Sequence, residues 1–245
     1  MSSSSSPYAE QYANHQGPND GRPTGSQIVK DYSLENNLTG KFVLVTGATS
    51  GIGLVTARAM HETGADVYIA ALGATKAQNL IEDIKKSSKG TGKIQLLYLD
   101  LGSLDSVNHT VQKFNSLSPT LNILITNAGI MTAAPSAVNP GMIWTGILDD
   151  LDPITSEQWK NDKSLLDIMQ SPARGSATAV VRAAVSPAWE GKGGKYLVAC
   201  GVGEPLKDVN SVVDPGYAAH AYDEEGEDRL WEMSSQLTGI SVQET

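Results

Sequence analysis

The 245-residue sequence has a single cysteine, Cys200, and only four histidines, which are scattered along the chain. One cysteine excludes an intramolecular disulfide and a cysteine-rich zinc site, and the histidines lack the spacing of metal ligands. No apolar run approaches the roughly 20 residues that are needed to cross a bilayer. Residues 1–7 form a serine-rich start without the basic and apolar regions of a secretory signal. We therefore expect a cytoplasmic protein without a metal site or a membrane span.

Basic residues are also scarce, because 18 Lys and Arg face 27 Asp and Glu and leave a net charge of −9. Such a charge disfavours nucleic acid or an anionic membrane surface as a partner. The first 37 residues are rich in Ser, Asn, Gly, Pro and Gln and show no hydrophobic periodicity. This composition predicts a flexible N-terminal leader over residues 1–37, with one short helix around residues 26–32.

From residue 38 onward, the sequence alternates between strand and helix patterns. Four short apolar runs have the length of buried parallel strands, and the segments between them carry apolar residues at helical spacing. The predicted strands are residues 42–45, 66–71, 94–98 and 121–126. This alternation predicts an α/β fold with a parallel sheet and right-handed crossovers. Beyond residue 129 the pattern weakens to helices over 155–169, 173–184 and 223–237 and a strand over 195–199.

A glycine-rich loop, Thr46-Gly47-Ala48-Thr49-Ser50-Gly51-Ile52-Gly53, lies between the first strand and the first helix. Its first glycine permits a tight turn, and the other two permit close approach of the backbone to a ligand and of the helix to the sheet. The helix start presents free N–H groups and a positive dipole end to a pyrophosphate. The loop therefore predicts a nucleotide-binding site formed by Gly47, Thr49, Ser50, Gly51, Ile52 and Gly53, and the alternative is a purely structural turn.

The TGxxxGxG spacing of this loop resembles the short-chain dehydrogenase/reductase (SDR) family. Asp100 follows the third strand, where the family's Asp contacts adenine, and Asn127-Ala128-Gly129 matches the family's NAG motif. The segment PGMIWT, residues 140–145, resembles the family segment whose backbone and Thr touch the nicotinamide. The resemblance thus implies cofactor contacts from Asp100, Asn127, Gly129, Ile143 and Thr145. The alternatives are a helix-start acid for Asp100 and a strand cap for Asn127.

The sequence is most similar to retinol-dehydrogenase-like and WW-domain-oxidoreductase-like members, especially fungal ones. The resemblance implies one Rossmann-type domain, residues 38–245, with a cofactor-binding half (38–134) and a residual substrate and C-terminal half (135–245). The implied sheet is doubly wound in the order 3-2-1-4 and truncated between its fourth and sixth strands. A vestigial sixth strand and the strand near Lys195 would lie beyond. The fourth strand then leaves an apolar, poorly covered edge, which is an aggregation hazard. The loss of the fourth and fifth helices removes surfaces that family members commonly use for their dimers, so self-association should be weaker than in the family or altered.

The catalytic half of the family pattern is missing. Only eleven positions separate Gly129 from Pro140, whereas one βαβ unit needs about 30 residues. None of the eight tyrosines is followed by a lysine four residues later, so the family's YxxxK motif is absent. In the family, that Tyr gives a proton to the carbonyl oxygen, and a nearby Lys favours its phenolate. The catalytic residues of this chain are therefore unknown.

The end of the second strand leaves the choice between NAD and NADP open. Ala71-Leu72-Gly73 offers neither an acid for a ribose hydroxyl nor an Arg for a 2′-phosphate. Lys76 is the nearest cation and weakly favours NADP, and its alternative role is that of a solvated surface lysine.

The leading hypothesis is an SDR-type oxidoreductase for NAD(P)(H)-dependent hydride transfer on an alcohol or ketone of a lipophilic small molecule. The fungal resemblance implies a setting in secondary metabolism. A coding sequence from which an exon is missing would explain the lost motif. The alternatives are a catalytically dead nucleotide- or ligand-binding protein, acting as a pseudoenzyme partner of an active homologue, and a cofactor-independent lyase or isomerase.

Overall fold

A four-stranded parallel sheet in the order β3-β2-β1-β4 organises the larger part of the chain. Its strands are β1 (Phe42–Thr46), β2 (Asp66–Ala71), β3 (Ile94–Tyr98) and β4 (Ile123–Ile125). The computed structural model describes residues 7–118, 120–129, 138–139, 141–145, 153–175, 180–190, 192, 194–208 and 214–239. The predicted strand order and the α/β class are confirmed.

Three helices connect these strands: α3 (Gly51–Glu62), α4 (Ala74–Ser87) and α5 (Leu104–Leu117). Both faces of the sheet carry apolar side chains, as expected of parallel strands that are covered by helices on each side. One face joins Val43, Val45, Val67 and Ile69 to Met60 and Ile81 of the helices, and the other joins Leu44, Tyr68 and Leu97 to Phe114.

The N-terminal segment differs from the predicted flexible leader. Residues 7–37 contain α1 (Ala9–Ala13) and α2 (Gly25–Asp31), and Ile28 and Val29 of α2 are fully buried. These two side chains pack with Ala59 of α3 and with Val181 and Cys200. The sequence did not predict this packing, because Ile28 and Val29 stand in a polar segment and the residues that they contact lie far along the chain. Residues 1–6 lie outside the described part.

A second, three-stranded sheet has the order β5-β6-β7. It consists of β5 (Val138–Asn139), β6 (Leu197–Val198) and β7 (Gly201–Val202), with β5 parallel to β6 and β7 antiparallel to it. The expected vestigial sixth strand therefore does pair with the strand near Lys195. However, the pair forms a sheet of its own instead of extending the first one, because no strand in the described residues lies between β4 and β5.

Short helices make up most of the remainder. They are α6 (Pro153–Asn161), α7 (Lys163–Ile168), α8 (Pro172–Gly175) and α9 (Arg182–Val185). The single helix predicted over 155–169 is broken at Asp162, whose carboxylate accepts hydrogen bonds from the backbone of Ser164 and Leu165 and so starts a new helix. The predicted helix over 173–184 corresponds to α8 and α9, with residues 176–179 outside the described part.

Contacts divide the chain into two units, Met1–Val202 and Gly203–Thr245. The second contains α10 (Glu224–Thr238), which matches the predicted closing helix and is capped by the Asp223 carboxylate through the Gly226 amide. Among the described helices, none combines the length and the apolar character that crossing a membrane requires.

Candidate functional site

The glycine-rich loop leaves β1 through a turn that only glycine can form without strain. Gly47 has a φ of +64° and Gly51 a φ of +54°, both in the left-handed region. A Cβ atom on Gly47 would lie 2.6 Å from the Cα of Ala128, and one on Gly53 would lie 2.6 Å from the Gly47 carbonyl oxygen. The backbone of the loop is therefore packed against itself and against the residues that follow β4.

Asn127 ties the loop to the neighbouring strand. Its side-chain amide donates hydrogen bonds to the carbonyl oxygens of Thr46 (3.1 Å) and Gly47 (3.3 Å). The backbone amide of Ala128 donates to the Thr46 hydroxyl at 3.0 Å. Asn127 thus supports the loop from across the sheet and does not cap its own strand, while Gly129 lies exposed beside it.

The start of α3 has the features of an anion-binding helix end. Ser50 is the N-cap residue and its side chain makes no capping hydrogen bond, and the first turn contains no acidic residue. Ser50 is exposed, whereas Thr49, Gly51 and Ile52 are half-buried. Free backbone N–H groups and the positive end of the helix dipole therefore face an accessible position. These residues fit the phosphates of a dinucleotide.

The structure brings Thr145 to this loop from 94 positions further along the chain. A Cβ atom on Gly51 would lie 3.3 Å from Cγ2 of Thr145, so the Thr145 side chain lies beside the space that Gly51 leaves open. Ile143, two residues earlier, points into the interior and is only 7% exposed. The side chain of Thr145 is therefore placed near the loop, whereas the side chain of Ile143 is not, and the predicted cofactor contact of Ile143 stays a prediction. Pro140 lies outside the described residues.

Asp100 lies at the end of β3, where it organises the chain before α5. Its carboxylate accepts a hydrogen bond from the Gly102 amide at 2.9 Å, and its own amide donates to the Ser106 hydroxyl at 2.9 Å. This is the structural role that the sequence left open as an alternative. The adenine contact remains a prediction for this half-buried residue.

The carboxyl end of β2 carries no charged group that could select a nucleotide. Leu72 is 59% exposed, and Gly73 is the N-cap residue of α4. The first turn of α4 has no acidic residue, and Lys76 within it is exposed. The ends of β1, β2 and β4 and the starts of α3 and α4 thus meet at one edge of the sheet, which is where ligands bind in open α/β folds.

Gln170 contributes to the site although no local pattern in the sequence indicates it. Its backbone amide donates to the Met142 carbonyl oxygen at 2.7 Å, and its buried side chain lies against Gly141. Gly141 has a φ of +82°, so a side chain at this position would be strained. Gln170 therefore holds residues 141–145 in place beside the loop.

Comparisons with known proteins agree with this geometry. The sequence model of the family described as short chain dehydrogenase matches residues 41–150. A short-chain dehydrogenase/reductase of Penicillium rubens, prx1, is 27% identical over 330 aligned residues, which cover 96% of this chain and 95% of that protein. Human polyprenol dehydrogenase is 38% identical over 91 residues, which cover 37% of this chain and 27% of that protein.

Among solved structures, the RhlG/NADP active-site complex of Pseudomonas aeruginosa is 33% identical, with a TM-score of 0.36. The match covers 40% of this chain and 37% of that one, so it spans little more than a third of the bacterial protein. The family model itself extends from β1 through β4 and residues 141–145, and thereby includes both the glycine-rich loop and Thr145. The chain is thus similar to short-chain dehydrogenases over residues 41–150, and to a fungal short-chain dehydrogenase/reductase over nearly its whole length.

Proposed function

We propose that this protein is an NADP(H)-dependent oxidoreductase that acts on an alcohol or ketone of a lipophilic small molecule. The observation that carries the proposal is the glycine-rich loop, which Asn127 supports through hydrogen bonds before α3 and beside which Thr145 lies near Gly51. When it is bound, the nicotinamide supplies or accepts the hydride. The chain's own residues then bind the phosphates through backbone N–H groups and orient the nicotinamide end beside Thr145.

The preference for NADP over NAD rests on the lack of an acidic residue at the end of β2 and on Lys76 in the first turn of α4. An enzyme that selects NAD places a carboxylate where it can accept a hydrogen bond from the ribose hydroxyl, and a 2′-phosphate would be repelled there. Here the corresponding residues are Ala71, Leu72 and Gly73, and the nearest cation is Lys76 in the first turn of α4. A 2′-phosphate at this position would be attracted by Lys76 and by the start of the helix.

The proposal of a lipophilic substrate rests on the names of similar proteins and not on a cavity in the structure. Polyprenol is a long apolar alcohol, and the human relative is named for its oxidation. Fungal proteins such as prx1 resemble nearly the whole chain, which supports a fungal setting for the proposed role in secondary metabolism.

We propose further that an internal segment is missing between Gly129 and Pro140. The alignment with prx1 extends over 330 positions although this chain has 245 residues, so many positions of the relative have no counterpart here. The missing segment would carry the Tyr and Lys that hand a proton to the carbonyl oxygen in the family. We therefore expect this chain to bind cofactor and to reduce ketones only slowly.

A fluorescence titration tests the cofactor proposal. We expect NADPH to bind more tightly than NADH, and Lys76→Met to remove most of that difference while leaving NADH binding unchanged. Lys113→Met, on the exposed surface of α5, is the matched control and should retain the preference. The proposal fails if the chain binds neither nucleotide.

Sequencing the transcript tests the missing segment. A messenger RNA that encodes additional residues between Ala134 and Asn139, including a Tyr followed four residues later by a Lys, would support it. The protein made from that transcript should reduce lipophilic ketones with NADPH much faster than the 245-residue chain. A messenger RNA that reads directly from Ala134 to Asn139 would exclude a missing exon, and tight cofactor binding without turnover would then favour a pseudoenzyme.

A further inference from the structure

A buried group of charges connects the N-terminal segment to the region before α8. Asp20, Arg22 and Arg174 form this group, which we call the Asp20 cluster. The Arg22 guanidinium lies 2.9 Å from each carboxylate oxygen of Asp20, and Arg174 Nε lies 3.5 Å from Oδ1. The Arg22 and Asp20 side chains are only 4% and 3% exposed. A buried, doubly bonded Arg–carboxylate pair of this kind fixes geometry more strongly than a surface ion pair does.

Arg22 also binds the backbone just before α8. Its two terminal nitrogens donate to the carbonyl oxygens of Ile168 (3.0 Å) and Met169 (2.6 Å). Two backbone hydrogen bonds reinforce the contact: Gly17 donates to Asp167 at 3.0 Å, and Ser171 donates to Pro18 at 3.1 Å. The planar guanidinium can reach both carbonyl groups while it holds Asp20, which an ammonium group cannot do.

The same backbone segment holds the nicotinamide side of the proposed site. Gln170 follows Met169, is 3% exposed, and donates its amide hydrogen to Met142. Ile143 and Gln170 pair as an isolated parallel bridge, and Thr145, two residues after Ile143, lies beside Gly51. A continuous series of contacts therefore runs from Arg22 through residues 168–170 and 141–145 to the glycine-rich loop.

We propose that Arg22, fixed by Asp20, is a positioning residue for the nicotinamide half of the cofactor site and acts through Gln170 and residues 141–145. The ligand in this inference rests on the proposed function. Nothing in the series touches the end of β2 or the start of α4. The adenine half of the site should therefore not depend on Arg22.

Comparing the binding of two ligands distinguishes a positioning role of Arg22 from a general loss of structure. NADPH extends to Thr145, whereas adenosine 2′,5′-bisphosphate carries only the adenine half and the 2′-phosphate. We expect Arg22→Met to weaken NADPH binding by about tenfold or more, with the affinity for the bisphosphate nearly unchanged. Arg22→Lys keeps the charge but loses the planar fork, so it should fall between the wild type and Arg22→Met.

The matched control variant removes the carboxylate partner of a different arginine, Arg58, which lies outside the Asp20 cluster. Asp83→Asn disrupts the exposed pair with Arg58, whose charged atoms lie 2.7 Å apart, and should change neither affinity. The inference is overturned if Arg22→Lys or a folded Arg22→Met leaves NADPH affinity at the wild-type value. It is also overturned if the affinities for the two ligands fall by the same factor.

Hydrogen exchange tests the inference without any ligand. In Arg22→Lys, and in Arg22→Met where it folds, the amides of residues 141–145 and 167–171 should exchange faster, while those of β1 and α3 stay protected. This result would support positioning even if the wild type bound no dinucleotide, in which case only the proposed function would fail. Unchanged exchange over residues 141–145 would overturn the inference itself.

Discussion

At Gly53 the packing of the glycine-rich loop leaves no space for a side chain. Gly53 is buried in the first turn of α3, and an added methyl group would meet both the Asn127 amide and the Gly47 carbonyl oxygen. Both neighbours belong to the hydrogen-bonded support of the loop. The space that a side chain would need is thus already filled by backbone and by Asn127.

We predict that Gly53→Ala lowers the free energy of unfolding by about 1–3 kcal/mol, the usual cost of overpacking. It should also abolish NADPH binding, because the loop must shift to admit the methyl group. Denaturant unfolding and the fluorescence titration measure the two effects. Gly21→Ala is the control, since an added Cβ there meets nothing within 4 Å. Wild-type stability in Gly53→Ala would contradict the packing argument.

Cys200 is a second position whose chemistry follows from its surroundings. Burial raises the pKa of its thiol from 9.0 to about 11, although the Tyr12 hydroxyl and the charge of Arg182 act in the opposite direction. The side chain is 2% exposed and lies in the turn between β6 and β7.

We predict that Cys200 reacts slowly with iodoacetamide at pH 8 in the folded protein. Only the thiolate reacts, and a pKa of about 11 in place of 9.0 leaves about a hundredfold less of it. The unfolded chain in urea should react at the rate of an ordinary cysteine. Mass spectrometry of the alkylated fraction over time makes the comparison, and equal rates in the two states would refute the prediction.

Among the elements, the N-terminal segment depends most clearly on charge. Burial would raise the pKa of Asp20, but hydrogen bonds from the Arg22 side chain and from the backbone amides of Arg22 and Gln16, together with the Arg22 charge, lower it overall. A carboxyl group whose pKa is lower in the folded state stabilises the fold above its unfolded pKa of about 3.9. That contribution is lost as the pH falls through the folded pKa.

We predict that the free energy of unfolding decreases as the pH is lowered below about 4 and that Asp20→Asn removes part of this decrease. The variant should also be less stable than the wild type at pH 7, because the buried Arg22 and the partly buried Arg174 lose their carboxylate. Urea unfolding between pH 3 and pH 7 provides the measurement. Asp83→Asn should keep the wild-type pH dependence, and an identical dependence in Asp20→Asn would disprove this role for Asp20.

On the scale of the entire chain, the first sheet ends at an incompletely covered edge. β4 has three residues and pairs with β1 alone among the described strands. Leu124 lies opposite Leu44 on the same face, yet Leu124 is 57% exposed and Leu44 only 8%. The apolar edge that the sequence predicted is thus present, and such edges promote association between chains.

We predict that Leu124→Lys lowers the tendency of the protein to aggregate as its concentration is raised. A charge on an edge strand opposes pairing with another chain, and a residue this exposed contributes little to the core. Light scattering over a concentration series measures the effect. Leu237→Lys replaces an equally apolar residue that is 80% exposed on α10 and should change scattering less. Equal effects of both substitutions would show that the edge has no special role.

The glycine-rich loop could be predicted because it depends on neighbouring residues, whereas the strand order was implied by the family resemblance. A strand, a tight turn and a helix start form a continuous stretch, and Asn127 was recognisable from its own tripeptide. Gln170 and Arg22 could not be found in this way. Each acts on backbone that lies more than 25 positions away, and hydrogen bonds to distant carbonyl groups require no particular neighbouring residues.

Hydrophobic periodicity and glycine spacing were sufficient to predict the parallel sheet and the position of the glycine-rich loop, since both arise from interactions within a few residues. The burial of Ile28 and Val29, the separate second sheet and the proximity of Thr145 to Gly51 became apparent only in the folded chain. These features depend on which distant surfaces meet, and that is settled by the combined packing of many side chains and not by any local pattern.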